Sequence, residues 1–492
     1  MLDLVVTNAK IATMDPARPR ASALGVRDGR ITGVGTAEEI ARLDPAPKEI
    51  IDAGGRAVLP GFIEGHMHVI SQGVVLTSGD GGLASSRAFA EIRLGSRRTL
   101  SQWALTDSGL INNICEWGSY LPRDVFVTYG IPDEDFETGL KTCSDSLVSF
   151  GITSIHDLGS SGAKRLAREG RFLVDAARSG RFKPRVYLCV RDDAIHVLKE
   201  LGLEARTGVG DDRLKTGFVK IFIDGTMTGR SAAVFERYAD WPTYGFLLKT
   251  PTAMKQIVTN AYETGFEVAV HAIGDRAIYH TLEAMEEAAA AVPGNHRPRL
   301  EHCRLTSPVL NRWARDLRVT MVPQQAAISF VGLRDVGRVG EAKAKWLHPY
   351  ATWLSMGLRI VGSSDAPVYF PRVESNPFLG IKAAVTRQTE VPGELLAPEE
   401  AVTLDQALRM WTIDAAYAAY EEKVKGSLEP GKLADFVVLN RDPFAIPAEE
   451  LDQVQVDLTF IDGEKVFERD PDSQPRLPEG KPYFREVEKL FK

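Results

Sequence analysis

Cysteine is scarce in this sequence: its 492 residues include four, Cys115, Cys143, Cys189 and Cys303. None stands in the paired spacing of a zinc ribbon or a redox dithiol, and so few cannot supply a disulfide framework. They read as reduced thiols, which points to the cytoplasm. Basic residues are not in excess either, since 59 Lys and Arg against 66 Asp and Glu leave a net charge of −7. Without a basic stripe for a phosphate backbone, nucleic acid is not an expected partner. No uninterrupted apolar run approaches the ~18 residues of a membrane span. The opening MLDLVVTNAKIATMD also lacks the basic-then-apolar order of a secretory leader, so no membrane association is expected. The hydrophobic and charged fractions, 44% and 25%, are those of a folded globular chain and exclude a disordered one. The length calls for more than one core.

The two ends of the chain share a pattern. LVVTNAKIATMD and ALGVRDGRITGVG alternate apolar and polar residues, with Asp28-Gly29 as a hairpin signal, and VDLTFIDGEKVFE repeats this with Asp462-Gly463. Each piece is too short to stand alone. Residues 1–57 and 425–470 are therefore expected to build one small β-sandwich, with 471–492 as a tail. Between them, residues 58–424 alternate apolar strand-like runs with helical patterns. After Thr250-Pro251, for example, Met254, Ile257, Val258 and Ala261 recur at helical spacing and Gly265 closes the helix. The runs are Ala57–Ile63, Ile152–His156, Arg185–Val190, Phe218–Ile223, Phe266–Val270, Arg299–Glu301, Val319–Val322 and Leu358–Val361. Eight near-continuous apolar strands separated by helices predict an α/β fold, a (β/α)8 TIM barrel. An insertion at about 70–150, closed by a helix carrying Leu140, Cys143, Ser144 and Leu147, is expected over one barrel mouth.

Ionisable residues gather where these strands end. His66 and His68 follow the first strand in GFIEGHMHV, and Lys220 lies within the fourth in GFVKIFIDG. His271 ends the fifth in VAVHAIGDR, His302 ends the sixth in RLEHC, and Asp365 follows the eighth in GSSDAPV. Active sites of such barrels lie at the C-terminal ends of the strands. Alternate residues on an extended strand face one way, so His66 and His68 can grip one ion together. Four imidazoles, a lysine and a carboxylate from five strands converge on one spot, and that pattern predicts a metal site. An ammonium buried in VKIFI tends to lose its proton, and a neutral amine can capture carbon dioxide as a carbamate. The alternative is a Lys220 paired with Asp224 or Asp157.

The ordered set HMH, strand-borne Lys, His, His and Asp resembles the metal-dependent amidohydrolase superfamily. VKIFIDGTMTGRSA, VAVHAIGDRAI, RLEHC and GSSDAPV resemble in particular the branch of N-substituted formamide deformylases and exoenzyme-regulator-like amidohydrolases. The opening PGFIEGHMH and the closing GSLEPGKLADFVVLNRDP fit it too. Glu64 departs from the Asp that the family commonly has there, and the segment after the HxH pair is short for this branch. The resemblance implies a hydrolase holding one or two divalent ions, usually Zn2+, on His66, His68, Lys220, His271, His302 and Asp365. It also implies carbon dioxide held as a carbamate on Lys220. A small-molecule substrate is expected, and a homodimer is compatible with such a barrel.

In that scheme the ions lower the pKa of a bound water, and Asp365 takes its proton during attack and returns it to the leaving group. An ion or a neighbouring imidazole, with His302 as the catalytic candidate, polarises the scissile carbonyl. The expected reaction is hydrolysis of a C–N bond in an amide, lactam, formamide or urea-like group. An ester or lactone substrate, a lyase or decarboxylase, and a non-catalytic regulator are the alternatives. Arg230, beyond the fourth strand, could hold a substrate carboxylate or carbonyl. His156 and Asp157 are expected to support the site from behind. His196, His280, His296 and His348 read as packing or surface residues, and Cys303 as a buried structural thiol.

Overall fold

The computed structural model of the chain describes residues 1–77, 133–159, 163–368 and 375–473. Its centre is a sheet of eight parallel strands in sequential order. They are β1 (Phe62–Met67), β2 (Ile152–Asp157), β3 (Arg185–Arg191), β4 (Leu214–Phe222), β5 (Val268–Ala272), β6 (Arg299–His302), β7 (Thr320–Val322) and β8 (Arg359–Ile360). The sheet returns on itself just beyond β8. The Gly65 and His68 N–H groups donate to Gly362 O and Ala366 O at 3.0 Å each, and the Asp365 N–H donates to His66 O at 2.8 Å. Strands β1, β2, β5, β6 and β7 are buried along their whole length, which accounts for their near-continuous apolar runs. Gly65 is required at this seam: a Cβ there would come within 2.2 Å of Val361 Cγ1 and 2.7 Å of Gly362 O. The (β/α)8 barrel expected from the sequence is thus the fold.

The helices follow their sequence signals. Thr250 caps Pro251–Glu263 through its side chain, with Pro in the first turn and Met254, Val258 and Ala261 buried. The helix Asp133–Ser149, leading into β2, buries Leu140, Cys143, Ser144 and Leu147. Most of the expected insertion, Cys115 and most of the tail lie outside the described residues. Cys143, Cys189 and Cys303 are buried free thiols.

Both chain ends contribute to one six-stranded sheet. Its order is Glu464–Glu468, Val456–Ile461, Phe436–Leu439, Ala57–Pro60, Lys10–Ala12 and Arg20–Ala21. A four-stranded sheet of N-terminal residues only faces a shared core in which Leu4, Val6, Leu24, Val26, Val58, Phe436 and Phe460 are buried. Asp28-Gly29 and Asp462-Gly463 turn their hairpins with all four φ positive, as a type I′ turn requires. One expectation is corrected here. The run Ala57–Ile63 is two strands: Ala57–Pro60 pairs with Phe436–Leu439 in the sandwich, and the barrel begins at Phe62. The break falls at Gly61, whose N–H donates to Asp435 O and where a Cβ would press on Thr153.

At the N-terminal end of the barrel, Glu421 is buried between Lys215 Nζ at 2.8 Å and Lys425 Nζ at 2.6 Å. Burial pushes its carboxyl up, but Lys425 and Lys215 outweigh this and bring it down to about 2. A carboxylate lowered on folding stabilises the chain above its ordinary value and loses that contribution as pH falls toward the folded value. Stability measured by denaturant titration should therefore decline as pH is lowered from 4.5 to about 2. In Glu421→Gln the decline should be shallower and the chain less stable at pH 7. An unchanged slope would remove Glu421 from the account.

Candidate active site

Five of the strands bring the six predicted residues to the C-terminal end of the barrel. His66 lies on β1 and His68 follows it, Lys220 lies on β4, His271 on β5 and His302 on β6, and Asp365 follows β8. Strand register sets their level, with Phe222 opposite His271 and Ala272 opposite His302. The four imidazoles and the lysine are buried. Asp365 Oδ1 lies 3.3 Å from both His66 Nε2 and His68 Nε2, and its Oδ2 lies 3.9 Å from His302 Nδ1. The His302 ring centroid is 4.9 Å from that of His66 and 4.4 Å from that of His271. Ligand atoms of His66, His68 and Asp365 all fall within 4.8 Å of one another, a spacing that can hold a metal ion.

The electrostatics suit a cation. Burial lowers His68 to about 4, and burial together with Lys220 lowers His271 to about 3. His302 is held well below its ordinary value by burial and His271. All three are neutral at physiological pH, the form that ligates metal. Burial raises the Asp365 carboxyl, but His66 and His68 hold it well below the ordinary range, so it is an anion. Burial brings Lys220 down to about 8. Its Nζ has no hydrogen-bond partner among the described residues, so neither Asp224 nor Asp157 neutralises it. A buried amine left this way is costly unless something absent from the polypeptide completes it.

Three of the four rings have an outer partner that fixes the tautomer. His66 Nδ1–H donates to Glu301 Oε2 at 2.6 Å, His302 Nδ1–H to Gln324 Oε1 at 2.7 Å, and His271 Nε2–H to Gly225 O at 2.8 Å. The acceptors have no proton to give, so the lone pairs remain on His66 Nε2, His302 Nε2 and His271 Nδ1. Behind Glu301 stands Arg299, with Nε at 2.7 Å and Nη2 at 3.0 Å from the carboxylate. Arg299 also donates to His156 Nδ1 at 2.9 Å and to Gly65 O at 2.7 Å. Glu64 Oε1 accepts from the N–H groups of His66 and Ser364 at 3.0 Å each, tying the HxH strand to the Asp365 loop. Asp157 Oδ1 accepts the Val69 N–H at 3.1 Å, at the start of the helix that follows His68.

His302, Cys303 and Asp365 all have positive φ, at 69°, 42° and 59°. Backbone strain of this kind in non-glycine residues collects at functional sites. It also explains a miss. Strict strand alternation would send Glu301 and His302 to opposite sides, yet both meet His66, because the chain turns at His302. Glu301, Arg299 and Gln324 were not anticipated. The available signal was the pair of charges at alternate positions of RLEHC, a strand otherwise buried. Arg230 forms an ion pair with Asp240 of its own loop, 2.6 Å at Nη2.

Comparison with known proteins agrees with this geometry. Residues 125–467 match the model of the Amidohydrolase family, Amidohydro_3. The chain belongs to the amidohydrolase family. It is thereby an enzyme, a metal-dependent amidohydrolase whose general chemistry is C–N hydrolysis. YtcJ of Bacillus subtilis, named as an amidohydrolase, is 27% identical over 93% of this chain and 98% of its own. The N-substituted formamide deformylase of Arthrobacter pascens is 24% identical over 95% of this chain and 99% of its own. Among solved structures, a metal-dependent hydrolase of Pyrococcus horikoshii shares the fold with a TM-score of 0.72, covering 90% of this amidohydrolase and 99% of that chain at 23% identity. No helix among the described residues of this amidohydrolase is long and apolar enough to cross a membrane.

Proposed function

We propose that this amidohydrolase cleaves the C–N bond of a small amide, lactam, formamide or urea-like substrate, acting in the cytoplasm. The observation that carries this is the convergence of neutral imidazoles and an anionic carboxylate on one spot, with three donors within 4.8 Å. His66, His68 and Asp365 would hold a divalent ion, with His271, His302 and Lys220 completing the set. Nitrogen and oxygen donors of this kind suit zinc. Bound there, the ion supplies Lewis acidity and a water of lowered pKa.

The chain's own residues do the rest. Asp365, anionic and beside the imidazoles, accepts the proton of the attacking water and returns it to the departing nitrogen. His302, turned by its positive φ and steadied at Nδ1 by Gln324, would present its Nε2 lone pair to the ion. Lys220, lowered to about 8 and buried without a hydrogen-bond partner among the described residues, is available as the free amine that carbon dioxide requires. Carbamylation would turn it into an anionic oxygen ligand.

Lys220→Ala should then lower the metal content of purified protein, for example from about two ions per chain to one or none. Elemental analysis beside the parent checks this. Equal content in the two proteins would return Lys220 to a structural part. The activity itself is tested on zinc-loaded protein with matched formamides, lactams, acyl amides and esters, following amine release. Turnover of esters alone would move the reading to an esterase. Carbon dioxide release without hydrolysis would move it to a lyase.

A further inference from the structure

The barrel interior beneath the site is unusual for a packed core. Where side-chain layers of such barrels are mostly branched and apolar, β6 places Arg299 and Glu301 there, both fully buried. Their ion pair spans 2.7 Å and joins three strands: β6 itself, β1 through His66 and Gly65 O, and β2 through His156. Burying two charges is costly, and a pair of apolar residues would fill the same space at lower cost. The ion pair alone does not account for its position. An apolar pair could not reproduce the Arg299 contacts to His156 Nδ1 and Gly65 O, nor the one that reaches a predicted ligand ring directly, from Glu301 Oε2 to His66 Nδ1, 2.6 Å long.

We propose that Glu301 is a positioning residue for the metal centre: by accepting the Nδ1 proton of His66 it fixes that imidazole with the Nε2 lone pair toward the ion, and Arg299 serves to hold Glu301 in place. This deepens the reading of the site as a metal centre and rests on it. Glu301 touches no reacting atom. Its effect passes through one ring, whose free orientation and tautomer would otherwise have to be selected each time the ion binds. Outer partners of this kind are worth about 10- to 100-fold in metal affinity. Arg299 bonds both carboxylate oxygens and takes a third contact on Gly65 O, next to His66 in the chain. The acceptor is thus anchored to the strand whose histidine it orients.

The test compares two full-length double variants, Arg299→Met/Glu301→Gln and Arg299→Met/Glu301→Leu. Both lack the buried ion pair and are close in volume, but only the first keeps an acceptor for His66. Co2+ affinity is measured for each by competition with a chromogenic chelator. The Gln variant should bind near the parent value and the Leu variant about 10- to 100-fold more weakly. Equal affinities, whether weak or strong, would overturn the positioning role, since a purely structural ion pair moves both alike. A parent chain that binds no Co2+ would overturn the metal reading as well, so the two failures are distinguishable. Should the variants not fold, the 15N spectrum of histidine-labelled parent protein decides, with His66 assigned through His66→Gln. An Nδ1–H tautomer at His66 is expected, and an Nε2–H tautomer would contradict the proposal.

Discussion

Asp365→Asn should cut kcat by about 100- to 10,000-fold, the usual worth of a positioned general base, while leaving the fold intact. The substitution is unusually clean. Asp365 has φ 59°, and Asn is among the few residues that tolerate the left-handed region. Its amide has the same shape, and the backbone N–H that donates to His66 O is untouched. What disappears is the negative charge beside His66 and His68 and the capacity to take a proton. The amide also removes the anion that raises the pKa of His68, so the site becomes less favourable for a cation. Steady-state kinetics on metal-loaded protein, with thermal unfolding as a control, checks the expectation. Turnover within tenfold of the parent would remove Asp365 as proton shuttle.

A second large effect is expected far from the chemistry. Arg185, on β3, is buried against Asp435, which lies just before the sandwich strand Phe436–Leu439. Its Nε and Nη2 meet the two Asp435 oxygens at 2.7 and 2.8 Å, and Nη2 also bonds Asp462 in the Asp-Gly turn. Burial raises the Asp435 carboxyl, but Arg185 outweighs this and keeps it an anion. Arg185→Met would leave that anion buried with the Asp462 N–H at 3.0 Å as its recorded hydrogen-bond donor. Breaking a buried pair from one side costs about 3–5 kcal/mol, which denaturant unfolding would read directly. The double change Arg185→Met/Asp435→Leu should recover much of the loss, because it removes the orphaned charge. A single variant within about 1 kcal/mol of the parent would show that the contact is not holding barrel and sandwich together.

The barrel was legible because strands buried on both faces cannot hide: their apolar runs, and the histidines at their C-terminal ends, are visible without tertiary information. Boundaries were less so. Ala57–Ile63 reads as one strand, since Ala57–Pro60 and Phe62–Met67 are both buried throughout, and hydrophobicity cannot say against which sheet. The division is made by Gly61 and its bond to Asp435, a partner 374 positions away that no local pattern announces. The ring partners escaped for a similar reason. Glu301 meets His66 from another strand, 235 positions on, and Gln324 reaches His302 from beyond β7. The partner of Arg230 was equally hidden, since a loop arginine near a barrel rim looks the same in sequence whether or not a local carboxylate, here Asp240, pairs with it.

The central claim is that these four imidazoles and one carboxylate form a metal centre. The most direct measurement is the divalent-metal content of freshly purified protein, beside the double variant His66→Ala/His68→Ala, by elemental analysis. The account predicts one to two ions per chain in the parent and a loss of at least one in the variant. A parent that holds no divalent ion, even after incubation with zinc or manganese and bicarbonate, would contradict it.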